Sequence, residues 1–216
     1  MKSLLHLITI LLLFSACSKE ESTSEFPKTI NVNLNEFEAF NNEFPFEQID
    51  PTLALDYWEL TLLEGYSNEM ETVFSEGNKC ANSTDSLFCV TQLDSLREES
   101  GFRNACAPGY CFYYLKYQSG DSIQSINENN ELVPFLGEIN TPSEAVLLAF
   151  LNDYSYQTNN KTLGAIKEVT NGYELILTKR VNDCPIQVNR FHLKVEKAGS
   201  ITIINEEIYS KSEYCI

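Results

Sequence analysis

An α+β fold is predicted: an antiparallel sheet with a helix packed on one face, preceded by a more helical acidic N-terminal region and stapled by disulfides. Three observations predict it. Short alternating apolar and polar runs separated by turn signals fill much of residues 110–210, and a capping box at Thr141 opens an almost wholly apolar run. Six of the seven cysteines, Cys80, Cys89, Cys106, Cys111, Cys184 and Cys215, fall in the last two thirds of the chain. A chain of 216 residues that is 43% apolar suits one globular unit or two small ones. Charged residues at 21% and aromatics at 12% exclude a wholly disordered tail, and 9 Gly with 7 Pro exclude a collagen-like or low-complexity chain. The net charge of −16 argues against DNA or RNA as the main ligand, because phosphate binding needs a dense Lys/Arg footprint.

Charge is unevenly placed. Residues 18–100 hold 18 acidic and 4 basic side chains, whereas 101–216 hold 13 and 10. An acidic, mainly helical region over 29–105 and a sheet-and-helix domain over 106–216 are therefore expected, separately or as one unit. Ile30, Val32 and Leu34 alternate with polar residues and predict a short strand. Phe37, Phe40, Phe44 and Phe46 interleave with Glu36, Glu38, Glu43, Glu47 and Asp50, the pattern of an amphipathic segment laid on the body or of a docking segment. Asp50-Pro51 as a start and Gly65 as a stop predict a helix over 51–64, although Leu53, Leu55 and Tyr57 also alternate. Leu87, Val90, Leu93 and Leu96 predict a second helix over about 84–100, closed by Gly101.

Tyr110 to Tyr117 reads as a strand, Ser119-Gly120-Asp121 as a turn and Ser122 to Ile126 as the return. Asn127 to Glu131 reads as a turn. Thr141-Pro142-Ser143-Glu144 combines a capping box with Pro at the first helical position, so a buried helix should run to about Tyr154. Asn171-Gly172 introduces a strand from Tyr173 to Val181 with Tyr173, Leu175 and Leu177 on one face. In the next strand Ile186 and Val188 have the opposite parity to Phe191, Leu193 and Val195, which predicts a bulge near Asn189 and Arg190. Ala198-Gly199 turns the chain into a last strand from Ile201 to about Tyr209. A strand pair, a helix and a three-strand meander make one antiparallel sheet with a helix across it.

The first 16 residues carry Lys2, an apolar run from Leu4 to Phe14, and small residues before Cys17, the layout of a secretory signal. About ten apolar residues are too few for a permanent membrane span, which needs roughly 20. Phe14-Ser15-Ala16-Cys17 resembles the lipobox of bacterial lipoproteins, with Phe14 where Leu is usual. The resemblance implies that Cys17 is diacylated, becomes the first mature residue and is N-acylated, as in palmitate-bearing lipoproteins. More than one acyl chain gives stable anchoring, at about 0.8 kcal/mol per buried CH₂. Ser18-Lys19-Glu20-Glu21 resembles the acidic export signal of Bacteroidota lipoproteins, which implies the outer membrane and its surface. Residues 17–28 are then a flexible acidic tether.

An even number of cysteines in an exported chain reads as three disulfides. Short loops cost least entropy to close, which favours Cys80 with Cys89, Cys106 with Cys111 and Cys184 with Cys215. A zinc site is the rival reading, but there is no Cys-x-x-Cys, and His192, the one histidine of the mature chain, is not at ligand spacing from a cysteine. No calcium loop, phosphate loop or dinucleotide fingerprint is present, so no cofactor and no metal is expected.

A hydrolase triad needs a base beside its nucleophile, and there is no nucleophile turn to accompany His192, which reads instead as a solvated or interface residue on the polar face of a strand. A carboxylate pair for glycoside hydrolysis is always available among 31 acids, but its separation is not legible in sequence. No catalytic residue is assigned. Arg180, Arg190, His192 and Lys194 fall on polar positions of adjacent strands and form a basic strip, suited to an anionic glycan, an acidic partner or the acidic half of the same chain. Asp85-Ser86-Leu87, Asp94-Ser95-Leu96 and Asp121-Ser122-Ile123 resemble the acceptor of Bacteroidota O-glycosylation, which would modify Ser86, Ser95 and Ser122; Asp-Ser is equally a helix-start and turn pattern.

The element order over roughly 110–210 resembles the cystatin-like and PepSY-like modules of bacterial envelope proteins, and the resemblance brings no catalytic residue. Taken together, the expectation is a noncatalytic lipid-anchored envelope protein that binds a protein partner or a surface polymer. The alternatives are a glycan-acting hydrolase using an acid pair, and an inhibitor or immunity-type lipoprotein with a protruding wedge.

Overall fold

A computed structural model describes residues 30–65, 67–103, 106 and 110–215. The signal segment 1–16, Cys17 and the tether 17–28 lie outside the described residues. The α+β class holds, with two antiparallel sheets in place of one. Strands β1 (Glu38–Ala39), β6 (Ala165–Val169), β7 (Gly172–Asp183), β8 (Ile186–Glu196) and β9 (Ile201–Lys211) form the first sheet in the order β1-β6-β7-β8-β9. Strands β2 (Tyr57–Glu64), β3 (Glu69–Gly77), β4 (Cys111–Ser119) and β5 (Ser122–Ile126) form the second, in the order β3-β2-β4-β5. The expected strand pair is β4–β5, but it joins β2 and not the meander. β2 pairs with β4 from Tyr57↔Gln118 to Glu64↔Cys111, so the acidic region and the C-terminal half share a sheet.

Helix α3 (Pro142–Leu151) lies between the sheets. Its capping box is complete: the Thr141 hydroxyl accepts from the Glu144 amide, and the Glu144 carboxylate accepts from the Asn140, Thr141 and Asp50 amides. Every residue from Glu144 to Leu151 is buried, and α3 shares one core with Tyr173, Leu175, Leu177, Phe191, Leu193 and Val195 of the first sheet and with Trp58, Leu60 and Leu115 of the second. A helix with a sheet on either side needs apolar residues all round.

Several expectations are corrected. Residues 51–64 are not a helix: Tyr57–Glu64 is the central strand β2, because alternation sends Trp58 and Leu60 inward while Tyr57, Glu59, Thr61 and Leu63 face outward. The region 29–105 is accordingly not mainly helical; it contributes the β2–β3 hairpin. The second helix is shorter than expected, α1 (Ser86–Ser95), and ends in extended backbone at Leu96. α2 (Asn129–Leu136) occupies the expected turn and extends through Pro134, a residue that argues against a helix interior. α3 stops at Leu151, three residues early. Ile30, Val32 and Leu34 make no ladder, and a short 3₁₀ turn spans Leu34–Glu36. β8 carries no inserted residue; the extra residues are Val181 on β7 and Ile204 and Tyr209 on β9, so Ile186 and Val188 stay on the face of Arg190 and His192.

Three disulfides join Cys80 to Cys89, Cys106 to Cys111 and Cys184 to Cys215, the pairing that short loops favour.

Candidate functional site

The outer face of the first sheet carries the basic strip, and each of its members has an acidic partner in the same chain. Arg190 pairs with Glu207 on β9. His192 Nε2 lies 3.1 Å from Glu174 Oε2 on β7, and Lys194 Nζ lies 3.1 Å from Glu196, which Lys194 and Ser200 hold below the usual carboxylate range. Arg180 lies opposite Val188, just before the bulge at Val181 on β7, and pairs with Asp183 at 2.7 Å. The acids come from β7, β8 and β9 themselves and not from the acidic N-terminal half.

Part of this face is also covered. The Ile30 amide donates to Glu207 at 2.7 Å, and Phe37 packs on Ala165 of β6 and Ile176 of β7, with its ring edge-on to His192 at 5.9 Å. Residues 30–37 therefore cross the sheet from β9 towards β6, where β1 pairs. Lys167 closes the crossing, bonded to Glu36 at 3.1 Å and 3.5 Å from Glu174. His192 is thus buried beneath the crossing segment instead of solvated. The following Phe-rich stretch turns Phe40 and Phe46 inward and leaves Glu43, Glu47 and Asp50 in solvent.

A cleft of about 1010 Å³ opens beside the C-terminal end of α3, lined by Arg103, Glu128, Asp153, Ser155, Lys179 and Arg180 among others. Its cations already have tasks. Arg103 donates to the Phe150 and Tyr154 carbonyls and to Ser155 Oγ, with its guanidinium over the Phe150 ring at 4.3 Å. Lys179 donates to the Asn152 carbonyl at 3.0 Å and pairs with Asp153 at 3.4 Å. The last carbonyls of a helix carry partial negative charge and lack internal partners, so these cations complete α3.

The outer face of the second sheet is built differently. Glu59 on β2 and Lys116 on β4 are directly opposed and 3.0 Å apart, with side chains only 3% exposed. Tyr57 donates to Glu59 at 2.7 Å, Thr61 at 3.1 Å, and Lys116 also donates to the Leu93 carbonyl of α1 at 3.2 Å. Burial alone would raise the Glu59 carboxyl, but the Tyr57 hydroxyl and Lys116 outweigh it and hold it below its usual range. Burial and the Glu59 contact push the Tyr57 phenol well up. Sequence reading missed this pair; its one signal is a lysine inside the aromatic run Tyr113-Tyr114-Leu115-Lys116-Tyr117.

Helix α1 lies over this pair. Asp85 caps it by accepting from the Phe88 amide, Cys89 is bonded to Cys80, and Tyr114 donates to the Leu96 carbonyl. Cys89 and Leu93, one turn apart, are its buried residues, which leaves Leu87 79% and Phe88 59% exposed. The apolar face expected through Leu87, Val90, Leu93 and Leu96 is rotated because the disulfide decides which side faces the sheet. Ser86 and Ser95 are exposed at the two ends of α1, and Ser122 is exposed at the start of β5. Asp121 is occupied by Ser83 Oγ and by the amide and hydroxyl of Thr84, which hold its carboxyl low, so Asp85 acts as the helix cap and Asp121 ties down the chain leading into it. Among the described residues no group of three or more His, Cys, Asp or Glu side chains is placed to hold a metal ion, and no helix is long and apolar enough to cross a membrane. No protein-family model, curated protein or solved structure matches this chain.

Proposed function

We propose that the chain is a noncatalytic, lipid-anchored cell-envelope protein whose disulfide-stapled body binds a protein partner. The signal layout and the lipobox-like Phe14-Ser15-Ala16-Cys17 support the anchor, and the acidic residues after Cys17 support export to the outer membrane surface. The observation that carries the binding reading is a contrast of surfaces. The strip that could have held an anionic polymer is paired residue by residue with acids of the same chain, whereas large apolar side chains stand in solvent on α1 and β9. Apolar side chains held out on a rigid element suit a protein interface. Among the described acids lining the cleft beside α3, Asp153 and Asp183 are paired with Lys179 and Arg180, which leaves Glu128 and no second unpaired carboxyl for the acid-pair hydrolase.

Palmitate labelling of the native protein tests the anchor: label that persists in Cys17→Ser contradicts it. Pull-down of the anchored protein from its own envelope, with mass spectrometry of what it retains, tests the partner; a stoichiometric protein is expected, and retention of sugar oligomers without protein would contradict it. The intact mass of the same sample is expected to show no sugar on Ser86, Ser95 or Ser122, because the aspartate before Ser86 serves as a helix cap and the one before Ser122 holds the approach to that helix.

A further inference from the structure

Among the described residues, exposed large apolar side chains stand at Leu53, Tyr110, Val181 and Tyr214, and more than one is carried by the same element on β9 and on α1. On β9, Ile203, Ile204 and Tyr209 are about half exposed, and this strand is the free edge of the first sheet. Ile204 and Tyr209 are, however, the two bulge residues, and bulges break the even spacing of amides and carbonyls that an added strand needs. On α1, Leu87 and Phe88 are more exposed and neighbours in sequence. The helix beneath them is fixed by the Cys80–Cys89 bridge, the fully buried Leu93 and the bonds from Lys116 and Tyr114 to its last carbonyls. Asp85 and Asp121 border this turn, and neither makes an ion pair among the described residues.

Resting on the protein-binding reading above, we infer that the first turn of α1 is the docking surface, with Leu87 and Phe88 inserting into an apolar pocket of a partner protein that is rimmed by Lys or Arg. Rigid presentation means that little conformational freedom is lost when the two side chains are buried. The carboxylates of Asp85 and Asp121, hydrogen-bonded to neutral groups but without a cation among the described residues, select a basic rim and steer the encounter.

The test uses the full-length protein in its native envelope, carrying a benzophenone amino acid in place of Phe88 or, separately, of Tyr209. A single dominant protein adduct is expected from position 88 and none from 209, with the cross-linked partner residues in an apolar concavity beside Lys or Arg. Leu87→Ser should lower the yield from position 88 about tenfold, the loss expected for one leucine no longer buried. Salt at about 0.5 M should lower it several-fold by screening the carboxylates. A thermal melt matching the wild type shows that the fold is kept. An adduct from 209 alone, or many unrelated adducts from 88, would overturn the docking surface while leaving partner binding intact; no protein adduct from either position would overturn both.

Discussion

The two sheets share one arrangement and use it to opposite ends. Each turns its inner face to α3 and has a cover over part of its outer face: residues 30–37 on the first sheet and α1 on the second. The first cover closes a charged surface, since Phe37 lies on His192 and Ile176 while Lys167 joins Glu36 to Glu174. The second seals a buried ion pair and sends its own Leu87 and Phe88 into solvent. Charged residues on a strand are thus no guide to a ligand when the neighbouring strands supply their counter-charges, whereas exposed apolar residues on a stapled helix are left without an internal partner.

Breaking the second cover from below should have the largest effect. Lys116→Met leaves the Glu59 carboxylate buried without its cation and is expected to cost roughly 3–5 kcal/mol in denaturant unfolding, while Glu59→Leu added to it should recover most of the loss. The same pair sets an acid limit. Because the Glu59 carboxyl is held below its ordinary 4.5, its stabilisation is complete above about pH 4.5 and is lost as the pH falls through the lowered value. Glu59→Gln should therefore start less stable at neutral pH and lose less on acidification. Should the two curves fall in parallel, the pair has no part in the acid limit.

On the first sheet Phe37→Ala should cost about 3 kcal/mol, since the ring is 1% exposed, and should raise hydrogen exchange on β6 and β7 without touching α1. Replacing Cys80 and Cys89 together by Ser should cost about 2–3 kcal/mol, the loop-entropy value for so short a loop, with faster exchange confined to α1 and its approach. Glu36→Gln should be the mildest change, because its pair with Lys167 is half in solvent. Equal effects from Phe37→Ala and Glu36→Gln would mean that charge and not packing holds the first cover down.

Local patterns were the legible part of this chain. Thr141 to Glu144 announces α3, and Asn171-Gly172 marks the turn into β7, where both residues take positive φ. The disulfides followed from loop length alone. Long-range pairing was not legible. Residues 57–64 alternate as a strand does but carry helix punctuation at both ends, and what decides is the partner β4 some fifty residues later, where Lys116 meets Glu59. The orientation of α1 was hidden for a similar reason, because Cys89 is turned down by Cys80 against the spacing of the leucines. At the strip, residue types on β8 were read correctly as polar and charged, but their neutralisation by Glu174 and Glu207 depends on the register of β7 and β9.

The contrast between a closed charged face and an open apolar one is tested most directly by comparing two surface variants in the native envelope, Leu87→Ser with Phe88→Ser and Lys194→Gln with Arg180→Gln, for retention of the partner cross-linked at position 88. Loss of the partner in the α1 variant and full retention in the strip variant are expected; retention in the first with loss in the second would contradict it.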